Sequence, residues 1–543
     1  MAARNTWTPS STTTGCASAN SSIPQRNSKC ANCSAAMPRR RAGHWWTRDE
    51  GAPPVSRETV RQGGFRVRRL GRGGRPMILS TFHGDGRRLA GLATPIALTQ
   101  LAQIAVSTTN VALMGTLGVR EVAAGGLAMV LFNQIRTMCV GLITGTGNQI
   151  ATATSSAGKR GVSADREIRD IVRSSFVIAT LAGILGGAIL IGLGWSLQWL
   201  GQDAGVLADA RPLMVALAPG LLPCLWFQVL RQYTVGMQRP QALLLVTLGS
   251  VALNLLLALA FIRGWAGLPE LGLTGIGVAT SLVFLITFAV FLAMIRRDAK
   301  LGATLPIRPW PRDTATIRAE LKLGTPIALT YGSEAGMFSV LALVMGSIGP
   351  AALAAHNVVY QIIYIVFQVA IGLSHGASIL VSHAVARDES AHARALAWLA
   401  LRAAALVAVL TGVVYVVAPD WVLLPFLHST DSDTIQVAHT LLLIGIVLQF
   451  FDAAQNIGTG LLRGLKATNA GFRLSLIGYW CVGLPVALLL AFPAGLGAAG
   501  VWWGLTAGLA ATAVLMVRRY FTLLGEMDRA RVAVAADSEL SPA

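Results

Sequence analysis

The string Thr94-Pro-Ile-Ala-Leu-Thr99 recurs as Thr325-Pro-Ile-Ala-Leu-Thr330, 231 residues later. The same offset carries Met114-Gly-Thr-Leu-Gly118 onto Met345-Gly-Ser-Ile-Gly349, with no insertion between the two matches. A second pair, Gly272-Leu-Thr-Gly-Ile-Gly277 and Gly495-Leu-Gly-Ala-Ala-Gly500, recurs near the end of each half at an offset of 223. Solenoid repeats run about 20–50 residues, so a period this long describes a duplicated half. Both copies lie in long apolar stretches. Duplicated apolar halves are the usual build of secondary transporters, with the substrate path between them.

Hydrophobic residues make up 54% of the chain and charged residues 13%, against about 25% charged in a soluble domain. Twelve apolar runs, from 88–117 to 497–524, reach the length of about 20 residues that a bilayer span needs. Six spans per half is an even number, so both halves run the same way and their symmetry axis lies along the membrane normal. The expected fold is an all-α polytopic membrane protein with twelve transmembrane helices, arranged as two six-helix bundles related by pseudo-two-fold symmetry. The expected division is a basic, disordered extension over 1–81 and an N-terminal bundle over 82–295. A linker over 296–316 carries Pro306, Pro309 and Pro311, a C-terminal bundle covers 317–524, and a short polar, unstructured tail covers 525–543.

The net charge of +19 invites a nucleic-acid reading, but its distribution argues against one. Residues 1–76 hold 14 Lys/Arg and three Asp/Glu, which accounts for +11 of the total. That Arg/Gly-rich segment has no apolar period and no signal-peptide core, and the working protein is expected to begin near Met77. Placing both termini in the cytoplasm puts 26 of the remaining Lys/Arg inside and three outside, with Arg136 as the one deep basic residue. Such a bias is the positive-inside signal of a multi-pass inner-membrane protein. The Cys30-x-x-Cys33 pair has no second pair or His cluster beside it, so no metal centre is read there.

An Asp or Arg at the centre of a span costs about 2.5–3.5 kcal/mol on insertion scales, which makes such residues functional candidates. Glu334 lies midway through span seven and Asp452 midway through span ten. On span ten Gln449, Asp452, Asn456, Thr459 and Arg463 follow at three- and four-residue steps, one polar stripe on a helix. Gln361, Tyr364, Gln368 and His375 form a similar stripe on span eight. These stripes describe a hydrated cavity around two carboxylates, groups that bind a proton or, through oxygen, a hard cation such as Na+. His375 is a further candidate for a proton-linked group. In the first half the counterpart of Glu334 is the amide Gln103, and Gln103, Asn110 and Asn254 supply only neutral polarity. Cation chemistry is therefore expected in the second half. Pro95 and Pro326, at matching points of spans one and seven, are expected to bend their helices.

From Leu89 to Leu524 the chain resembles the multidrug and toxic compound extrusion (MATE) family, in its NorM-like bacterial branch. The resemblance rests on the Leu-x-x-Pro-Ile-Ala start of both halves and the Met-Gly-x-Leu-Gly end of span one. It rests also on Pro269-Glu-Leu-Gly-Leu-Thr-Gly-Ile-Gly-Val-Ala-Thr280 and on Gly458-x-Gly-Leu-Leu-Arg-Gly464. It implies a cation-coupled antiporter, driven by Na+ or H+, that exports bulky organic compounds, often cationic, by alternating access. The family's second-half cation-site acids fall on Glu334 and Asp452. The chain departs from the pattern at Asn110, where many members have Asp, and at Ala258, where the second of two asparagines is expected after Asn254. The alternative function is a flippase for a lipid-linked or amphipathic substrate, which needs a cationic cavity. No nucleophile–base pair, metal motif or nucleotide-binding loop points to an enzyme or to an ATP-driven pump. The expected partners are small organic molecules and the lipid bilayer, with no cofactor and no nucleic acid, and the working unit is expected to be a monomer.

Overall fold

The computed structural model describes residues 76–200, 204–267, 269–305, 314–424 and 432–540. Residues 1–75 of the basic extension and the three prolines of the linker lie outside them. Hydrocarbon offers backbone amides no water, so a spanning segment must bond its N–H and C=O groups internally, and the described residues form helices. The first half holds α1 (Pro76–Gly115), α2 (Val119–Thr144), α3 (Thr146–Arg160), α4 (Asp165–Ser196), α5 (Ala204–Gly236), α6 (Gln241–Arg263), α7 (Gly272–Arg297) and the short α8 (Ala299–Thr304). The second half holds α9 (Thr314–Ile348), α10 (Pro350–Ala386), α11 (Ser390–Val417), the short α12 (Pro419–Leu423), α13 (Ser432–Gly464), α14 (Thr468–Leu476), α15 (Leu484–Ala491) and α16 (Gly497–Leu540). These make twelve spans: α2 and α3 form one, broken at Gly145, and α14 and α15 form another, joined by a π-helical segment, Ile477–Gly483.

The duplication reaches the backbone. Gly118 and Gly349, from the repeated Met-Gly-x-Leu/Ile-Gly string, start α2 and α10 at φ 149° and 156°, a region open to glycine and strained for other residues. Thr99 and Thr330 of the other repeat each give their hydroxyl to the proline carbonyl four residues back, at 2.7 and 2.8 Å. Pro95 and Pro326 both sit inside unbroken helices. The second sequence pair needs a correction of register. Gly272 and Gly497 start α7 and α16 at φ 51° and 52°, and Gly275 and Gly500 each press on the end of the preceding helix. The structural offset is thus 225, not the 223 given by matching Gly272 to Gly495.

The buried apolar residues fall into three cores. One buried core, around Met114, Phe132, Leu217 and Phe291, draws only on the first half. Another, around Met337, Met345, Tyr479 and Trp502, draws only on the second. A third joins Leu89, Leu92, Ile96, Ala151 and Val235 of the first half to Ile379, Leu380, Val381 and Ile457 of the second. This shared core lies on the side where α1 and α9 begin and where α3 and α10 end. There Gly372 sits so close to α1 that an added Cβ would lie 2.8 Å from the Ala93 carbonyl, and one at Gly324 would overlap the Leu142 carbonyl. Asn148 donates to the hydroxyls of Ser378 at 2.7 Å and Ser382 at 2.9 Å. Lys159 pairs with Asp388 across the same junction, and His392 lies 3.6 Å from Asp85. Among the described residues, the buried core that the two bundles share therefore lies at this end.

The C-terminal tail is not unstructured over 525–540, because α16 continues to Leu540. Its polar residues tie it to the α10–α11 turn: Asp528 accepts from Arg394 at 3.0 Å, and Arg531 reaches Asp388 at 2.7 Å and Ser390 at 2.8 Å.

Closure on the shared side can be loosened at its tightest contact. Gly324→Ala forces α2 from α9, since backbone cannot yield as a side-chain tip does. A reporter cysteine at Ser378, in a background lacking Cys481 and the extension cysteines, will label faster in that variant than in the parent. The Asp388 carboxyl is held below the usual carboxylate range by its bond from Lys159 and by the Arg531 charge. Its contribution is therefore complete above about pH 4 and disappears as pH falls through the lower folded-state value. Asp388→Asn should give the same faster labelling at pH 7, and removing the carboxylate should abolish the acid dependence.

Candidate functional site

The two acids come from different helices of the second bundle. Glu334, on α9, is half-buried, and Asp452, on α13, is buried. They are neighbours of one another, of Tyr360 on α10 and of Tyr479 in the π-helical segment. Asn456 donates its amide to Asp452 Oδ1 at 3.3 Å and to the Asp452 carbonyl at 3.1 Å. Among the described residues neither acid has an Arg, Lys or His ion-pair partner.

The π-helical segment has a cause in the sequence. Pro485 has no N–H to return to the carbonyl four residues earlier, and the Leu484 N–H instead reaches five residues back to Tyr479. The widened turn brings Tyr479 inward, where its buried hydroxyl has no hydrogen-bond partner. It also lets Trp480 donate to Ser333, next to Glu334, at 2.9 Å. Two carboxylates, an amide and an unpartnered hydroxyl are the oxygen donors that a hard cation or a proton takes.

Aromatic rings run along α10 beside the acids: Tyr360 stacks on Tyr364 at 6.0 Å, Tyr364 on Phe367 at 5.9 Å, and Phe338 of α9 packs on Tyr360 at 5.0 Å. Such faces attract organic cations. Gln361 is half-buried on the same helix. A small chamber between α10, α11 and α13 is lined by Phe367, Gln449 and Asp452. Gln449 donates to Tyr415 at 3.1 Å and leaves its amide oxygen unpaired.

The first half carries no acid at the matching place. Asn110 and Asn254 are fully buried and bonded to each other at 2.7 Å, and Asn110 donates to Thr280 at 3.3 Å. The two amides therefore bond each other between α1, α6 and α7, and the buried Asn254 amide oxygen is left without a partner. Ala258 is buried and Gln103 half-buried.

Basic groups lie deeper than the sequence indicates. Arg231, counted there as part of the cytoplasmic excess, is 4% exposed and donates to Gln100 at 2.9 Å and Gln228 at 3.3 Å. Gln100 passes the chain across the bundles to Gln368 at 3.2 Å. Arg136, bonded to Asn133 at 3.2 Å, lies within the field of Arg231 and is not the only deep base. Arg463 is likewise buried, bonded to Ser378 at 3.2 Å, and His375 lies in the fields of Arg463 and Arg231.

One acid was missed. Glu320 is 3% exposed on the shared side, accepts from Ser175 of α4 at 2.8 Å, and has a second carboxyl oxygen without a partner. It reads as the polar start of span seven. The available signal is its spacing, since it lies 14 residues before Glu334 and so on the same helix face.

The MatE family model matches residues 95–260 and 326–489, starting each time at the proline of the repeated string. The chain belongs to the MatE family. A probable multidrug resistance protein NorM of Bradyrhizobium diazoefficiens is 36% identical, over 79% of this chain and 91% of its own length. The corresponding protein of Pseudomonas aeruginosa is 34% identical, over 78% and 86%. Among solved structures, the eukaryotic MATE transporter AtDTX14 superposes with a TM-score of 0.72 at 18% identity, covering 83% of this chain and 99% of that one. An outward-facing multidrug resistance MATE transporter superposes at 0.74 with 16% identity, covering 82% and 97%. In this MatE chain both acids fall in the second matched segment, and Glu320 lies just before it.

Glu320→Gln keeps an acceptor for Ser175 and should preserve stability. Glu320→Ala removes one acceptor and leaves the Ser175 hydroxyl the Ile171 carbonyl and the Thr146 hydroxyl, each at 2.9 Å, and should cost about 0.5–1.5 kcal/mol, read by thermal unfolding of the purified protein.

Proposed function

We propose that this chain exports multiple drugs or other toxic organic compounds as a cation-coupled antiporter, with Na+ or H+ occupying Glu334 and Asp452. The observation that carries the reading is the acid pair itself: two neighbouring carboxylates, without a basic ion-pair partner among the described residues, inside a bundle that shares a buried core with its twin. The relatives' name, multidrug resistance protein NorM, supports the cargo class. With both termini in the cytoplasm of a bacterium, the shared core is the closed cytoplasmic gate and the cleft opens outward. Drug enters from the cytoplasm or inner leaflet when this gate opens. A cation arriving from outside neutralises the pair, lowers its hold on a cationic drug and favours release outward. One charge moved through about 100 mV supplies about 2.3 kcal/mol, close to a 50-fold gradient of an uncharged cargo. The transporter works as a monomer.

A second reading gains from Arg231. A flippase for a lipid-linked substrate needs cations for a phosphate, and Arg231 with Arg136 provides two at depth where the sequence suggests one.

Ethidium efflux from cells, with Na+ and pH gradients imposed separately, distinguishes the readings. One gradient should drive efflux in the parent, and Glu334→Gln and Asp452→Asn should each abolish that dependence. Normal efflux from either variant removes the acids from the coupling site. Dye left unmoved by both gradients, together with movement of a fluorescent lipid-linked phosphate, favours the flippase.

A further inference from the structure

A groove separate from the acid cluster runs between the start of α9 and the start of α14, on the side of the shared core. Its walls combine two chemistries. Arg318, Lys322 and Arg473 supply three exposed cations, and Leu321, Leu329 and Phe472 supply apolar surface. Among the described residues none of the three cations is in an ion pair. The acid of the same helical turn, Glu320, is spent on Ser175: two positions from Arg318 and from Lys322, it points about 200° away, into the other bundle.

The order along α9 matters as much as the composition. Arg318 and Lys322 lie in its first turns, near the membrane surface, and Leu329 lies about 10 Å further in at 1.5 Å per residue. A ligand that fits has an anionic head and an apolar body, lying along the membrane normal with the head at the surface. Leu321 and Leu329 are 38% and 42% exposed, so the apolar wall needs such a body to cover it. A free inorganic anion satisfies the cations and leaves that wall bare. Basic pockets between spanning helices are the usual seat of anionic headgroups.

We propose that this groove binds one anionic phospholipid of the surrounding leaflet, its phosphate held by Arg318, Lys322 and Arg473 and its acyl chain lying on Leu321, Leu329 and Phe472. The site touches α9 up to Leu329, on the helix that carries Glu334, so a bound lipid braces that helix from its lipid-facing side. The inference needs only a chain that spans a bilayer, and it stands or falls independently of the transported compound and the coupling ion.

The test is native mass spectrometry of the purified full chain in neutral detergent, titrated with phosphatidylglycerol, with phosphatidylcholine of the same acyl chains, and with inorganic phosphate. Phosphatidylglycerol should bind in preference to both others. A basic residue near an anionic surface contributes about a factor of five, so Arg318→Gln/Lys322→Gln/Arg473→Gln together should weaken binding about 100-fold. The charge-retaining set Arg318→Lys/Lys322→Arg/Arg473→Lys should keep it. Arg296→Gln/Arg297→Gln/Arg518→Gln, three exposed bases elsewhere, should leave it unchanged. Equal loss in this control set, equal binding of phosphatidylcholine, or displacement of the lipid by inorganic phosphate would overturn the proposal.

Discussion

The shared core between the bundles is the contact on which the rest of the structure depends. Lipid is as apolar as leucine, so helices in a bilayer gain nothing from hiding apolar surface and associate through close contact and hydrogen bonds instead. Here glycines supply the closeness, Gly324 against Leu142 and Gly372 against Ala93, and Asn148 with Ser378 and Ser382 supplies the bonds. These contacts lie at one end of the bundles, and each bundle keeps a core of its own besides.

Within that frame the halves have diverged in charge while keeping one backbone plan. The repeated strings give matching positive-φ glycines and matching threonine–proline bonds. At the position where the second half places Glu334, the first places Gln103, and Asn110, Asn254 and Thr280 supply neutral amides and a hydroxyl. Neutral amides and hydroxyls do not gain a charge partner when a cation arrives. Acids without basic partners do, because their desolvation is relieved when a proton or metal ion arrives.

Particular residues show how much was legible in advance. Glu334 and Asp452 stood out because a carboxylate within a span is expensive and therefore rare. Tyr479 did not, because its position depends on a turn widened by Pro485, and an ideal 100° step misplaces every residue after such a turn. Arg231 looked peripheral because depth was read from distance to the helix end, whereas the long α5 carries it inward to Gln100. The tail after Gly525 looked structureless because its partners, Arg394 and Asp388, are more than a hundred residues away in sequence.

The sequence by itself determined the class of protein, the twelve spans, the duplication and the acids. Each follows from local rules: apolar length against bilayer thickness, repetition of strings, and the expense of charge in hydrocarbon. Only the tertiary structure decided at which helix ends the bundles share a core, that Asn110 and Asn254 bond each other, and that Arg231 and Glu320 are buried between helices. Those outcomes depend on distances between residues far apart in the chain, set by helix tilt and by glycine contacts that no periodicity encodes.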